Sequence, residues 1–556
     1  MKRREFIATA MAGGGALLAT STQPTWGRKL RSFMTPQAVE SRIEILTAEP
    51  ISTIAPEIYG HFTEHLGGVI YDGIWVGENS KIPNVGGIRK SLVDALQKIK
   101  PSVVRWPGGC FADSYDWRDG IGPRDKRPRR TNFWVDASEW PANAPDGPWK
   151  YDTNQFGTDD FLRFCKLTGA QPYLAANLRS LNAKDFYQWI EYCNSPAGTT
   201  TLGDMRIDRD GPKVRYWGVG NESWGCGGNF TPEEYAAEYR RFTAWAPHYG
   251  VNLAFVGSGP NGGDLDWTRR FFTKLNERRA LGAMWGWAMH HYSWNVSGGR
   301  TNDWFQGKGD ALNYNEDEWY ELLHEADRID GMIVDCWNVM GETDRAHRIK
   351  LVVDEWGAWY KPGSEVNNTH LLGQQSTIRD AVLAGQTLDT FHRHADKVGM
   401  AAIAQLVNCL QSLFLTHEDK FVLTPTYHVF DMYQVHQGKT ALRTVVTSPH
   451  LNYTRNNQQA TMRGLNGSAS LDGKRLVLTV TNPDLKATRE TEIVIRGAAI
   501  KSVQGSAIAA SDPKAHNSFE DPNRVVPKAA AVSMTGNTLV YKFPPASVTR
   551  LDIDLS

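Results

Sequence analysis

Eight short apolar runs, alternating with helical stretches between residues 54 and 408, constrain this chain more than any other feature. They fall at 57–64, 103–106, 172–177, 214–222, 253–258, 288–292, 351–356 and 400–408. Strands that alternate with helices build parallel sheets. Several intervening segments carry helix signals. Residues 88–99, 158–168 and 373–394 read as amphipathic helices, and 232–249 opens with Thr231 as N-cap, Pro232 at the first helical position and Glu233 and Glu234 in the first turn. Eight such units in sequence predict a (β/α)8, or TIM, barrel over 54–429, an α/β fold.

The texture changes after residue 430. The segments 476–481, 491–495, 539–543 and 550–555 alternate or run apolar with β-branched residues, and Asn466-Gly467, Asp472-Gly473 and Gly536-Asn537 punctuate them. Residues 430–556 therefore read as a C-terminal antiparallel β-sandwich, jelly-roll-like, with 514–527 as a long polar loop. The piece 39–46, within an N-terminal region 32–53, is strand-like and can join that sandwich. Ahead of it, Met1-Lys2-Arg3-Arg4-Glu5-Phe6-Ile7 and a mild apolar run from 8 to 19 resemble a twin-arginine export signal. That resemblance predicts an exported protein, periplasmic or extracellular, with residues 1–31 outside the fold. No segment reaches transmembrane length, so no membrane partner is expected.

Composition removes other classes. Lys+Arg and Asp+Glu are both 61 and no block of like charge stands out, which leaves nucleic acid without an electrostatic footprint. The aromatic load, 20 Trp, 19 Tyr and 21 Phe, must in large part be core, as in ordinary proteins, and also suits stacking against sugar faces. The six cysteines, Cys110, Cys165, Cys193, Cys226, Cys336 and Cys409, form no Cys-x-x-Cys pair and read as buried thiols, with one or two disulfides left open. His61 and His65 are four residues apart, which suits a metal pair only on a helix, and here they bracket a strand end. With His290 and His291 they read as sugar-bonding or structural groups, so no metal is expected. The glycine-rich pieces lack a phosphate-binding pattern, and no cofactor is expected.

The chemistry is in what ends the strands. Seven of the eight finish on unusual polar residues: Glu64, Arg105, Asn177, Asn221 with Glu222, His291 with Tyr292, Glu355, and Gln405. Barrel active sites gather at that C-terminal face. Glu222 and Glu355, on the fourth and seventh strands, would face each other across the mouth. Glycoside hydrolysis needs such a pair, one carboxyl protonated for the leaving oxygen and one ionised to attack the anomeric carbon. Asn221 is placed to hold a sugar 2-hydroxyl, Trp224 and Trp356 to supply apolar walls, and Asp354, by strand alternation, to point away as a structural hydrogen-bonder.

The segments Ile58-Tyr59-Gly60-His61-Phe62-Thr63-Glu64-His65-Leu66-Gly67, Val104-Arg105-Trp106-Pro107-Gly108-Gly109-Cys110-Phe111, Gly220-Asn221-Glu222, Asp354-Glu355-Trp356 and Asn517-Ser518-Phe519-Glu520-Asp521-Pro522 together resemble glycoside hydrolase family 51, the α-L-arabinofuranosidases. The resemblance runs from about residue 40 to the C-terminus. It implies a retaining, exo-acting enzyme that removes terminal α-L-arabinofuranosyl residues from arabinan- or arabinoxylan-type glycans, with Glu222 as acid/base and Glu355 as nucleophile. It also implies that Glu64, Cys110, Asn221, Tyr292 and Gln405 line the sugar site, that Arg105 and His291 support the carboxylates, and that the protein is a homo-oligomer. Family members carry Asn or Cys at the position of Cys110. An endo-acting xylanase or glucanase on the same barrel, or another furanosidase, is the alternative. The insert 124–148, with Trp134 and Trp140, is a loop that either covers the mouth or braces the barrel.

Overall fold

Each of the eight apolar runs overlaps a strand, and the eight close on themselves. The structure, a computed structural model, describes residues 40–556 apart from 139, 142, 146, 210, 295–307 and 456. The segment 1–31, with its export pattern, lies outside the described residues. The barrel strands are β1 (Gly60–Phe62), β2 (Val103–Trp106), β3 (Gln171–Ala176), β4 (Tyr216–Val219), β5 (Ala254–Gly257), β6 (Met284–Ser293), β7 (Lys350–Ala358) and β8 (Val398–Ala404). All neighbours are parallel, and β8 pairs with β1 to complete the ring.

Several boundaries differ from the sequence pattern for local reasons. The run 214–222 yields a strand only to Val219, because Gly220 turns at φ 82° and Glu222 sits at φ 38°. A positive φ is easy for Gly and costs a side-chain-bearing residue, so the chain leaves the sheet at a glycine and strains at the glutamate. The helix Pro232–Thr243 stops short of residue 249. Trp245 adopts φ 57°, and Pro247 biases the residue before it away from helix. Residues 88–89 pair with 84–85 as a small hairpin, so that helix starts at Lys90.

The barrel interior is packed. Val103, Tyr173, Tyr216, Ala254, Val256, Ala288, Val352 and Met400, contributed by seven of the strands, form one buried cluster below the mouth. This plug leaves only the upper end of the barrel open to a ligand.

The C-terminal part is sheet-rich, as the sequence pattern predicts. Nine of its strands and Ser41–Thr53, which lies between Thr440–Thr447 and Arg489–Arg496, are hydrogen-bonded into one ten-stranded sheet. One of those pairings is parallel, so the sheet is not purely antiparallel. It curls so that Ile43, Leu442, Leu478, Ile493, Leu539, Phe543 and Ile553, from both halves, share one core.

The helix Ile378–Arg393 joins this sheet to the barrel. It is buried almost all round, as a helix wedged between two layers must be. Its polar residues are therefore bonded. Asp389 accepts from Ser468, Thr479 and Tyr433, and His392 bridges Tyr59 and Ser468 at 2.8 and 2.9 Å. Asn517, from the late loop motif, bonds Leu423 and Val525 and receives Gln375, which ties that loop to the barrel. Among the described residues no helix is long and apolar enough to cross a membrane.

Candidate active site

The strand ends converge on one cavity of about 770 Å³. Its lining includes Glu64, Cys110, Asn221, Glu222, His291, Tyr292, Glu355 and Gln405, so eight of the nine residues that the family resemblance assigns to the site meet there. The ninth, Arg105, lies just beneath, fully buried, with its guanidinium on Glu355 at 2.7 Å and on the Asn221 side-chain oxygen. Asn177 stays outside, bonding the Tyr115 carbonyl and Ser180 in the loop after β3.

Glu222 and Glu355 occupy different environments. Glu355 is only 7% exposed and both of its oxygens are engaged, Oε1 by Arg105 and Oε2 by the Tyr292 hydroxyl at 2.7 Å. Two bonds of this kind fix the orientation of the carboxylate. Glu222 is 21% exposed, faces the open side, and receives the His290 imidazole at 2.9 Å on Oε1. One oxygen of each glutamate and one His290 nitrogen lie within 4.8 Å of one another.

His290, read from the sequence only as a sugar-bonding or structural group, sits among the carboxylates. Its Nδ1 faces Glu222 and, at 3.4 Å, Glu355, while its Nε2 faces Asp354 at 3.2 Å. Burial alone would lower this imidazole, but the charge of Glu355 and the bonds to Asp354 and Glu222 outweigh it and push it up to about 10. The ring is thus a buried imidazolium among three carboxylates. The spacing of Glu222, His290 and Glu355 would also suit a metal ion, for which the imidazole would have to release its proton. His291, expected to support the carboxylates, instead bonds the Glu325 backbone carbonyl, and burial lowers its pKa.

A bulge explains the second difference. Ala288 pairs with Val352, but His290 pairs with Glu355, so β7 carries one extra residue there. A bulge re-aims side chains. Here it turns both Asp354 and Glu355 inward, whereas simple alternation would send Asp354 out. Asp354 is indeed a hydrogen-bonder, but inside the barrel. It accepts from the Tyr173 hydroxyl at 2.8 Å and lies 3.5 Å from Arg105 Nε. Burial would raise its carboxyl, and the Arg105 charge with the His290 bond more than reverses this. Trp356, next along the strand, faces out and packs on Phe391 and Phe430, so it is not a wall of the site.

The remaining wall closes around these groups. Glu64 accepts from the Phe111 amide at 3.0 Å and the Trp134 indole at 3.1 Å, and Gln405 reaches it at 3.3 Å. Burial raises the Glu64 carboxyl to about 7. The insert 124–148 thus enters the site through Trp134, a contact its tryptophan content hinted at and its sequence did not place. Trp224, Trp294 and Trp359 also line the cavity. Asp113, buried and pushed up to about 7 by that burial, accepts from the amides of Leu178, Arg179 and Asn221 and so fixes the loops after β2, β3 and β4 together. Cys110 is not a thiol, as the default reading had it. It is disulfide-bonded to Cys226, 116 residues away, while Cys165, Cys193, Cys336 and Cys409 are free and buried.

The site therefore sets two carboxylates side by side, one enclosed and bonded at both oxygens and one open to solvent, over a pocket rich in aromatic and hydrogen-bonding groups. Comparison with known proteins agrees with this chemistry. The profile of the α-L-arabinofuranosidase 1 domain matches residues 95–297, and that of the α-L-arabinofuranosidase C-terminal domain matches 354–547. The chain is 37% identical to an intracellular exo-α-L-arabinofuranosidase of Bacteroides ovatus, over 90% of this chain and 93% of that protein. It is 29% identical to an intracellular exo-α-(1→5)-L-arabinofuranosidase of Acetivibrio thermocellus, over 65% of this chain and 68% of the relative. The crystal structure of a family 51 arabinofuranosidase from Xanthomonas axonopodis pv. citri superposes with a TM-score of 0.83 at 34% identity, covering 93% of this chain and 100% of that one. Both curated relatives are named intracellular, and this overturns the expectation of export drawn from residues 1–31.

Proposed function

This chain belongs to glycoside hydrolase family 51, the α-L-arabinofuranosidases, and on that premise we propose that it removes non-reducing terminal α-L-arabinofuranosyl residues from arabinan- or arabinoxylan-type glycans by double displacement. Glu355 is the nucleophile and Glu222 the acid/base. The observation that carries this reading is the pair itself. Glu222 and Glu355 oxygens approach within 4.8 Å. Retaining enzymes place their carboxyls about 5–5.5 Å apart, whereas inverting enzymes leave about 6.5–9.5 Å for a water.

The steps follow from the surroundings. Arg105 and Tyr292 hold the Glu355 carboxylate aimed into the pocket, from which it attacks the anomeric carbon. Glu222, nearer solvent, gives its proton to the leaving oxygen and then, as base, draws the proton from the water that releases arabinose. The His290 imidazolium offsets the charge that the two glutamates and Asp354 gather at this point. Glu64, Asn221 and Gln405 hold the sugar hydroxyls, and the Cys110–Cys226 disulfide forms part of the wall.

Two variants test the assignment. Glu355→Ala should lose turnover of every substrate. Glu222→Ala should retain activity on aryl arabinofuranosides with activated leaving groups, which need little proton donation, while losing it on natural linkages. Equal losses on both would reject these roles. Product analysis on arabinan and arabinoxylan tests the exo mode: free arabinose supports it, and shortened chains favour the endo alternative. A homo-oligomer belongs to the same reading, and the mass in solution tests it.

A further inference from the structure

Apart from the bond that joins them, Cys110 and Cys226 stand out for their place. Both are half-buried in the pocket wall, whereas the other four cysteines are buried. Cys226 lies four residues past Glu222, in the turn that follows β4, and its Sγ is 3.7 Å from Glu222 Oε2. One donor atom from each of Cys110, Cys226 and Glu222 lies within 4.8 Å of the others. A tetrahedral zinc with bonds of about 2.3 Å to sulfur and about 2.0 Å to oxygen sets its S···O separations near 3.5 Å and its S···S separations near 3.8 Å. The Sγ–Oε2 distance already meets the first figure. The Cα atoms of the two cysteines are 5.5 Å apart, close enough for either a disulfide or a pair of thiolates on one ion.

We propose that reduction of the Cys110–Cys226 disulfide creates a site for a thiophilic divalent cation of the zinc class, held by the two thiolates and the Glu222 carboxylate. A small dithiol entering the pocket supplies two electrons and two protons. The S–S bond breaks, two S–H groups form, and the dithiol closes to its own cyclic disulfide. The cation then displaces both thiol protons and takes Glu222 as third ligand, with solvent in the fourth position. The pocket thereby carries a redox-gated inhibitory site: oxidised, its sulfurs bind no metal, and reduced, it captures metal on the glutamate that must move a proton. The inhibitory consequence rests on Glu222 being the acid/base. The metal site itself does not.

The experiment titrates Co2+ as the optical probe and Zn2+ by calorimetry into three forms of the full chain: oxidised, reduced with the dithiol removed under argon, and reduced then alkylated. The reduced form should bind one ion per chain, with thiolate-to-cobalt charge-transfer absorption, at least about 100-fold more tightly than the other two. Cys226→Ser should abolish the band, and Glu222→Gln should weaken binding about tenfold. The alkylated protein gives the same comparison if Cys226→Ser does not fold. Reduced protein that binds no tighter than the oxidised form, or binds without a thiolate band, overturns the proposal. Zinc on the reduced form should also lower hydrolysis of unactivated arabinosides at least tenfold, reversibly with a chelator. Zinc bound through the thiolates without that loss would support the site and count against Glu222 as acid/base.

Discussion

Replacing His290 by Gln should move the acid limb of the activity profile to higher pH by about one unit. The imidazole rises from 6.5 to about 10 in the folded site, which corresponds to roughly 5 kcal/mol of net favourable interaction for the cation. Burial opposes that rise, so the attraction of the carboxylates is larger still. Three of them share it: Glu355, Asp354 and Glu222. An even share is at least about 1.5 kcal/mol each, or about one pKa unit. The sign follows from the charge. Below pH 10 the ring is positive throughout the range in which carboxylates titrate, and Gln is neutral at every pH. Each carboxylate in the variant loses a positive neighbour, so each takes up its proton at higher pH. Because kcat/KM reports the free enzyme, its pH profile on an aryl arabinofuranoside is the assay. The acid limb should shift up by about one unit in a variant whose melting curve shows an intact fold. A folded variant whose acid limb moves by less than about 0.3 unit would refute the reasoning, because His290 would then be a spectator.

Other variants examine different parts of the account. A Cβ on Gly109 would lie 3.2 Å from Glu355 Oε1 and 3.5 Å from Asn221 Nδ2, so Gly109→Ala should lower kcat/KM at least tenfold with little change in melting temperature, as steady-state kinetics and a thermal melt will show. Asp389, at the seam between barrel and sheet, is pushed by burial from 3.8 to about 7. The folded state keeps a proton that the unfolded state releases between about pH 4 and 7, so this group costs stability as pH rises through that window, by roughly 4 kcal/mol in all. Asp389→Asn cannot ionise, and urea unfolding at pH 5 and pH 8 should show it losing less stability than the parent over that interval.

The barrel and its two glutamates were legible in the sequence because one rule links them: strands of a (β/α)8 barrel present their C-terminal residues to a common mouth. Glu222 and Glu355 needed only that rule and strand order. His290 was within reach of the same logic. Tyr292 was already placed in the site, and residues two apart on a strand share a face, so parity favours His290 over His291. The inward turn of Asp354 was out of reach, because it depends on a bulge in β7 that leaves no mark in its apolar pattern. The Cys110–Cys226 pairing was hidden for a different reason: the loops after β2 and β4 meet only once the barrel has closed. Trp134 could be assigned to a loop but not to Glu64, since loop paths follow from contacts rather than from periodicity. The sheet-rich C-terminal part was legible too, but not its strand order, because alternation shows which face of a strand is buried, not which strands hydrogen-bond.

The most direct test of the double displacement is to catch its intermediate. In Glu222→Ala the base that activates water is gone, so an activated aryl arabinofuranoside should arabinosylate the enzyme faster than water releases the sugar. Mass spectrometry of a peptic digest after such a reaction should find one arabinosyl group on the peptide that contains Glu355. An adduct on any other residue, or turnover of that substrate with no adduct at all, would contradict the assignment of Glu355 as the nucleophile.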